Sequence, residues 1–263
     1  MKILIIGRNS YIGNSLQKYL KRPVERSDWT VDLVSGASGE WQKTDFSEYD
    51  ALVMCSALVH KKEKKLGWRA YDQANTQLPA AVFEKAKAEG VRQFVFLSSL
   101  AVYGRSSEVI DSNCQPDPDT FYGITKLAAE RILLADNGSV IKVAILRPPL
   151  VYGTKAKGSY HSLCRIVRYF PFFPKIANQK SVVSIDRLCA LIEEIIIERK
   201  SGIFHPQDKD YLSTAELAQK AGQEVGRRVW LVPFIPYING TLVKHSRLWK
   251  KAFGSIVVAK ELE

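Results

Sequence analysis

A short apolar run, Ile3-Leu4-Ile5-Ile6, leads directly into Gly7-Arg8-Asn9-Ser10-Tyr11-Ile12-Gly13, after which Leu16 and Leu20 recur at helical spacing. A strand that stops at a glycine, turns within a few residues and starts a helix is the feature that most narrows the folds open to this chain. It suits the first unit of a βαβ fold. Small residues let the backbone turn tightly there, and the free N–H groups at the positive end of the helix dipole can face an anion such as a dinucleotide pyrophosphate. An ordinary tight turn has the same local pattern, so the rest of the chain decides.

Strand-length apolar runs recur at 30–34, 51–55, 93–98 and 140–146, and helix-forming segments lie between most of them, at 80–88 and at 122–135 with Leu127, Ile132 and Leu133 on a common side. Continuous apolar strands alternating with helices are the signature of a parallel sheet covered on both faces. The expected fold is therefore α/β, a doubly wound parallel sheet of Rossmann type, with ligands at the carboxyl ends of the strands. After Gly153 the alternation stops and 170–174 is rich in aromatics and prolines. Helices are still expected at 186–198 and after Ser213, which forms a capping box with Glu216, and short strands at 181–185 and 203–205. We therefore expect a dinucleotide-binding domain over 1–153 with a returning segment near 181–205, and a smaller, mainly substrate-binding part over 154–263.

Composition excludes several classes. The apolar run after Lys2 is too short for a signal peptide, and no run approaches the ~20 residues needed to span a bilayer. Cys55, Cys114, Cys164 and Cys189 are far apart and the four histidines are scattered, so neither a metal site nor a disulfide framework is expected. These features imply a soluble, cytoplasmic protein. The net charge of +11 can attract phosphates, nucleic acid or an anionic membrane surface. The basic residues show no interleaved aromatic platform, which argues against a nucleic-acid partner.

Two further constellations carry chemistry. In Tyr122-Gly123-Ile124-Thr125-Lys126 the i, i+4 spacing puts a phenol and an ammonium on one helix face. The lysine charge should favour phenolate and bring the tyrosine towards acid/base use near neutrality. The run Phe96-Leu97-Ser98-Ser99-Leu100-Ala101-Val102-Tyr103-Gly104 ends an apolar strand in two hydroxyls that can face the crevice and hydrogen-bond a carbonyl or hydroxyl.

The glycine-rich first turn, Ser-Ser before Val102-Tyr103-Gly104, the Tyr-x-x-x-Lys pair and Leu146-Arg147-Pro148-Pro149-Leu150-Val151-Tyr152-Gly153, in that order, resemble the extended short-chain dehydrogenases, the NAD-dependent epimerase/dehydratase family acting on nucleotide sugars. The resemblance covers residues 1–153 and, more loosely, the later segment. It implies Ser99, Tyr122 and Lys126 as catalytic residues. For the cofactor it implies Gly7, Arg8, Asn9, Ser10, Tyr11, Ile12 and Gly13, then Ser35, Ser56, Ala57 and Asn75, with Asp45 near the adenine and Pro148 beside the nicotinamide. Position 10 departs from the usual family glycine: the Ser10 side chain should narrow the approach to the pyrophosphate, while its hydroxyl could donate to it.

No carboxylate stands where the second strand ends at Val34-Ser35-Gly36, and Arg8 is available for a 2′-phosphate, so NADP(H) is favoured over NAD(H). Family dehydratases carry an Asp and a Glu right after the hydroxyl residue, where this chain has Leu100 and Ala101, which argues against dehydration. Two readings stay open: an NADPH-dependent reductase of a UDP-4-keto-6-deoxy sugar, favoured by the missing acid, and a UDP-sugar 4-epimerase with tightly held NAD. A non-catalytic dinucleotide sensor is a third reading, against which Tyr122 and Lys126 both argue. Substrate contacts are expected from His60, Ser99, Lys157, Gly158, Ser159, Asn178 and Lys180, since a diphosphate wants cations and amide donors. The resemblance further implies a homodimer and a context in surface-polysaccharide synthesis.

Overall fold

Hydrophobic runs that are buried on both sides make the strands at the centre of this protein. The structure, a computed structural model, describes residues 1–22, 28–59, 63–104, 108–135, 141–233 and 254–262. In chain order it opens with the strand β1 (Lys2–Ile6), the helix α1 (Tyr11–Leu20), β2 (Thr30–Val34), the one-turn helix α2 (Glu40–Lys43) and β3 (Ala51–Met54). Then come α3 (Glu63–Asp72), a π-helical turn over Gln73–Gln77, α4 (Leu78–Ala88), β4 (Gln93–Leu97) and a 3-10 turn over Leu100–Tyr103. β5 (Val109–Ile110), α5 (Phe121–Ala135), β6 (Lys142–Leu146) and β7 (Leu150–Tyr152) follow. The remainder holds α6 (Ser159–Tyr169), β8 (Phe172–Lys175), β9 (Val182–Ser184), α7 (Ile185–Glu198), β10 (Gly202–Phe204), α8 (Thr214–Glu224), β11 (Trp230–Pro233) and β12 (Val257–Val258).

The chain divides into two units. The first, Met1–Arg105, Gln115–Pro148 and Ile185–Pro206, is built on a six-stranded sheet in the order β10-β6-β4-β3-β1-β2, parallel throughout. β3 and β4 are buried along their whole length, as expected of strands covered on both faces. Leu4, Ile6, Leu52, Met54, Phe94 and Phe96 face a core completed by Val82 and Phe83 of α4 and Leu133 of α5. α1 packs against α7, and Leu16, Leu20, Leu188 and Ile192 are buried. The chain passes from β1 to β2 on one side and returns to β3 on the other, so the order reverses between β1 and β3. Such a switch point opens a crevice at the carboxyl ends of the strands.

The second unit is Ser106–Cys114, Pro149–Ser184 and Gln207–Glu263, and its described residues hold three two-stranded parallel sheets, β11-β8, β12-β5 and β7-β9, and the packed helices α6 and α8. Ser213 caps α8 in the expected capping box with Glu216. Of the two short strands expected at 181–185 and 203–205, the later, β10, is the edge of the main sheet beside β6, and the earlier, β9, pairs with β7. Prolines hid β8 from a reading by pattern: Pro174 lies inside it, which a two-stranded sheet tolerates because each strand has an unpaired edge. No helix among the described residues is long and apolar enough to cross a membrane.

Candidate active site

The parallel registers bring the strand ends level, Ile6 beside Val34 and Met54, Met54 beside Phe96, and Leu97 beside Leu146. Most of the residues expected to act therefore follow one row of carboxyl ends: Gly7 to Gly13 after β1, Ser35 after β2, Ser56 and Ala57 after β3, Ser98 and Ser99 after β4, and Pro148 after β6. Asp45 stands apart, because it precedes β3. It is exposed, and its carboxylate accepts from the backbone N–H and hydroxyl of Ser47 at 3.0 and 2.7 Å, which holds it below the usual carboxylate range.

The turn after β1 is tightly folded. A Cβ at Gly13 would lie 2.9 Å from the Gly7 carbonyl oxygen, so only glycine lets α1 start this close to the strand. Ser10 caps the helix, its Oγ accepting from the Gly13 N–H at 3.2 Å, and the Asn14 amide braces the turn by donating to the carbonyls of Arg8 and Ser10 at 2.6 and 2.7 Å. The Ser10 hydroxyl thus occupies one of the N–H groups at the start of α1 and keeps its own hydrogen for donation. The close turn and the N–H groups at the start of α1 fit a dinucleotide pyrophosphate.

At the end of β2 the structure corrects the sequence reading. A carboxylate does stand there, supplied from α2: Glu40 accepts from the Ser35 N–H at 3.2 Å and from the Arg8 guanidinium at 2.6 Å. Those contacts, the Ser35 bond foremost, hold Glu40 below the usual carboxylate range. Arg8 also donates to the Leu33 carbonyl at 3.0 Å, so its charge is already paired. No pattern in strand length could have found Glu40, because its side chain folds back five residues from the first turn of a short helix.

The catalytic candidates converge on the end of β4. Ser99 is the N-cap of the 3-10 turn, its Oγ accepting from the Ala101 N–H at 3.1 Å, and its side chain hydrogen-bonds Tyr122. Gly123 makes this meeting of α5 and the 3-10 turn feasible, since a Cβ there would lie 2.4 Å from the Ala101 carbonyl oxygen. Lys126 is buried, donates from Nζ to the Leu97 carbonyl at 2.7 Å and lies 4.4 Å from the Phe96 ring centroid. Burial pushes the Tyr122 phenol up to about 12, against the pull of the Ser99 hydrogen bond, and burial brings the Lys126 ammonium down to about 8. The expected lowering of the phenol by Lys126 is not among the influences on Tyr122, whose shift is set by desolvation, by Ser99 and by the neighbouring Tyr71.

Asn75 sits in the π-helical turn, fully buried, and clamps two elements. Its Oδ1 accepts from the Leu58 N–H at 2.8 Å, and its Nδ2 donates to the Leu58 carbonyl at 3.1 Å and to Thr125 Oγ1 on α5 at 3.3 Å. Behind the site, Arg147 forms a buried ion pair with Glu130 at 2.6 Å and donates to the Tyr103 hydroxyl at 2.6 Å, which in turn lies 2.8 Å from His205 Nε2. Glu130 follows Tyr122 and Lys126 at the same four-residue step, a regularity from which this network could have been foreseen.

The remaining substrate candidates belong to the second unit, except His60, which lies outside the described residues. Lys157 and Ser159 are exposed, and Gly158 precedes α6 at φ 77°. Lys180 is half-buried, and burial lowers its ammonium to about 8. Asn178 is buried; its amide donates to Thr214 Oγ1 and the Gly254 carbonyl and accepts from the Thr214 N–H, which ties the start of α8 in place. The four cysteines are free, and burial raises Cys55 to about 12. Among the described residues no cluster of His, Cys, Asp or Glu could hold a metal ion.

Residues 3–170 match the model of the NAD dependent epimerase/dehydratase family. A UDP-glucose 4-epimerase of Vibrio cholerae is 28% identical over 260 residues, covering 88% of this chain and 78% of that protein. Among solved structures, a dTDP-4-dehydrorhamnose reductase from Clostridium acetobutylicum superposes with a TM-score of 0.76 at 19% identity, over 100% of this chain and 91% of that one. A UDP-glucuronic acid 4-epimerase from Bacillus cereus, in complex with NAD, gives 0.70 at 19% identity over 89% and 87%. At that identity both structures speak for the fold.

Proposed function

The chain belongs to the NAD dependent epimerase/dehydratase family, and from that premise we propose that it is a nucleotide-sugar 4-epimerase working with a retained NAD. Glu40 carries the choice between epimerase and reductase. A carboxylate at the end of the second strand suits a ribose 2′-hydroxyl and repels a 2′-phosphate, and the Arg8 charge that would have welcomed that phosphate is paired with it. The reductase reading with NADP(H) rested on the lack of such an acid. A 4-epimerase returns each hydride it takes, so NAD need never leave.

Reversible hydride acceptance at a sugar carbinol carbon is the chemistry a bound nicotinamide supplies. Gly7, Gly13 and the N–H groups at the start of α1 would hold the pyrophosphate, Glu40 and Ser35 the adenosine ribose, and Pro148 would stand beside the nicotinamide. Ser99 orients the C4 oxygen of the sugar, and Tyr122 takes and returns its proton. With a phenol near 12, Tyr122 rests protonated at neutral pH, ready as the acid. Its use as the base requires a cation, for which we propose Lys126, four residues on along α5. Lys157 and Lys180 are proposed for the diphosphate, whose charge their ammonium groups would meet, while the Asn178 amide braces the start of α8. A homodimer and a place in surface-polysaccharide synthesis belong to the same proposal.

The test is to denature the purified protein, identify any nucleotide released, and follow UDP-hexoses by NMR. Retained NAD, interconversion at C4 without net cofactor change, and loss of both directions in Tyr122→Phe are the expected results. Protein that arrives empty and oxidises NADPH stoichiometrically with a UDP-4-keto sugar overturns the epimerase in favour of the reductase.

A further inference from the structure

The second unit carries a surface that the hydride chemistry does not use. β8 and β11 pair in parallel with Trp230 opposite Phe172 and Val232 opposite Pro174. One face of this small sheet is turned inward, where Phe173 is buried. The other exposes Phe172, Trp230 and Val232, with Trp230 at 49% and Phe172 at 63% of full exposure. The end of α6 leads straight into β8 and adds Ile166, Tyr169 and Phe170, Tyr169 being 73% exposed. Six large apolar side chains left in water along one stretch of chain and its paired strand exceed the scattered exposure that ordinary surfaces show.

The segments that carry these side chains are basic, and the nearest acid in sequence is Glu224 at the end of α8, which accepts from the Tyr160 hydroxyl on the buried side of α6. Residues 159–175 and 225–233 contain no Asp or Glu, yet they hold Arg165, Arg168, Lys175, Arg227 and Arg228, all exposed. The Arg228 guanidinium lies 3.9 Å from the Trp230 ring centroid. In sequence, 234–253 continues the pattern with Lys244, Arg247, Lys250 and Lys251 and again no acid.

We infer that the outward face of the β8–β11 sheet and the end of α6 form a peripheral docking surface for anionic phospholipid. The chemistry fits on both counts. Trp and Tyr rings favour the headgroup level, Phe, Ile and Val enter the acyl boundary, and the arginines meet lipid phosphates. A nucleic acid would satisfy the cations and the rings but would leave the aliphatic Ile166 and Val232 without a stacking partner. The surface lies on, and does not span, the bilayer. This inference stands independently of whether the enzyme is an epimerase or a reductase.

Co-sedimentation of the full chain with vesicles tests it, comparing mixed phosphatidylcholine/phosphatidylglycerol with phosphatidylcholine alone. Binding to the anionic vesicles that weakens with salt is expected. Phe172→Ser combined with Trp230→Ser should lower the partition at least about tenfold with turnover unchanged. Because that pair also touches packing, Arg165→Gln with Arg168→Gln and Arg228→Gln serves as the second variant, and should abolish the anionic preference at unchanged melting temperature. Wild-type protein that stays in the supernatant with both vesicles overturns the inference. So does a solution dimer that the Phe172/Trp230 variant converts to monomer without any vesicle binding, or retention on a polynucleotide without partition to lipid.

Discussion

Lys126 loses its charge as pH rises through about 8, because burial favours the neutral amine. If its charge is what makes Tyr122 usable as a base, turnover is full below that pH and falls above it. Lys126→Arg, which stays charged, should move the alkaline limb of the kcat/KM profile up by at least about one pH unit, and pH profiles of the two proteins check this. At the other end of the cofactor, Glu40→Gln removes the fixed negative charge and should shift the preference towards NADP(H) by about tenfold, read as the ratio of dissociation constants for the two dinucleotides. These residues were unequally legible. Tyr122 and Lys126 announce themselves, because four residues on a helix is a spatial relation written into the sequence. Glu40 does not, since its carboxylate reaches the end of β2 through the path of an intervening turn.

Gly123 decides how two elements meet. With a Cβ at 2.4 Å from the Ala101 carbonyl oxygen, Gly123→Ala must push α5 away from the 3-10 turn that carries Ser99. We expect a loss of about 1–3 kcal/mol in stability and a fall in kcat that exceeds any change in KM, checked by thermal melts beside steady-state kinetics. Elements with strong local signals were readable in advance: α8 from its capping box, and β1, β3 and β4 from their continuous apolar runs. α6 was missed because its buried side is narrow, Tyr160, Leu163 and Val167, with arginines and exposed apolar residues between them. β11 was missed because Trp230, Leu231 and Val232 pair with a strand that itself contains proline.

Across the first unit, stability hangs on a buried charge pair as well as on apolar packing. Arg147 at the end of β6 and Glu130 on α5 are both almost fully buried and bonded through three contacts, at 3.2, 3.2 and 2.6 Å. Removing one partner strands the other charge in the interior. Glu130→Ala should therefore cost about 3–5 kcal/mol, whereas Glu130→Leu with Arg147→Met should cost less than the single change, measured by denaturant unfolding. The doubly wound sheet itself was foreseen, whereas the assignment of β10 to its edge depends on a pairing between residues far apart in sequence.

That late edge strand also bears on how the protein is made. β10 joins β6, and α7 covers α1, only after 149–184 have been laid down elsewhere. During vectorial synthesis, the ribosome must therefore release the whole of that excursion before the dinucleotide-binding sheet can close. Until residue 198 emerges from the exit tunnel, Leu16 and Leu20 lack the α7 partner packed against α1 in the finished molecule, and the nascent chain presents that apolar helix face to chaperones.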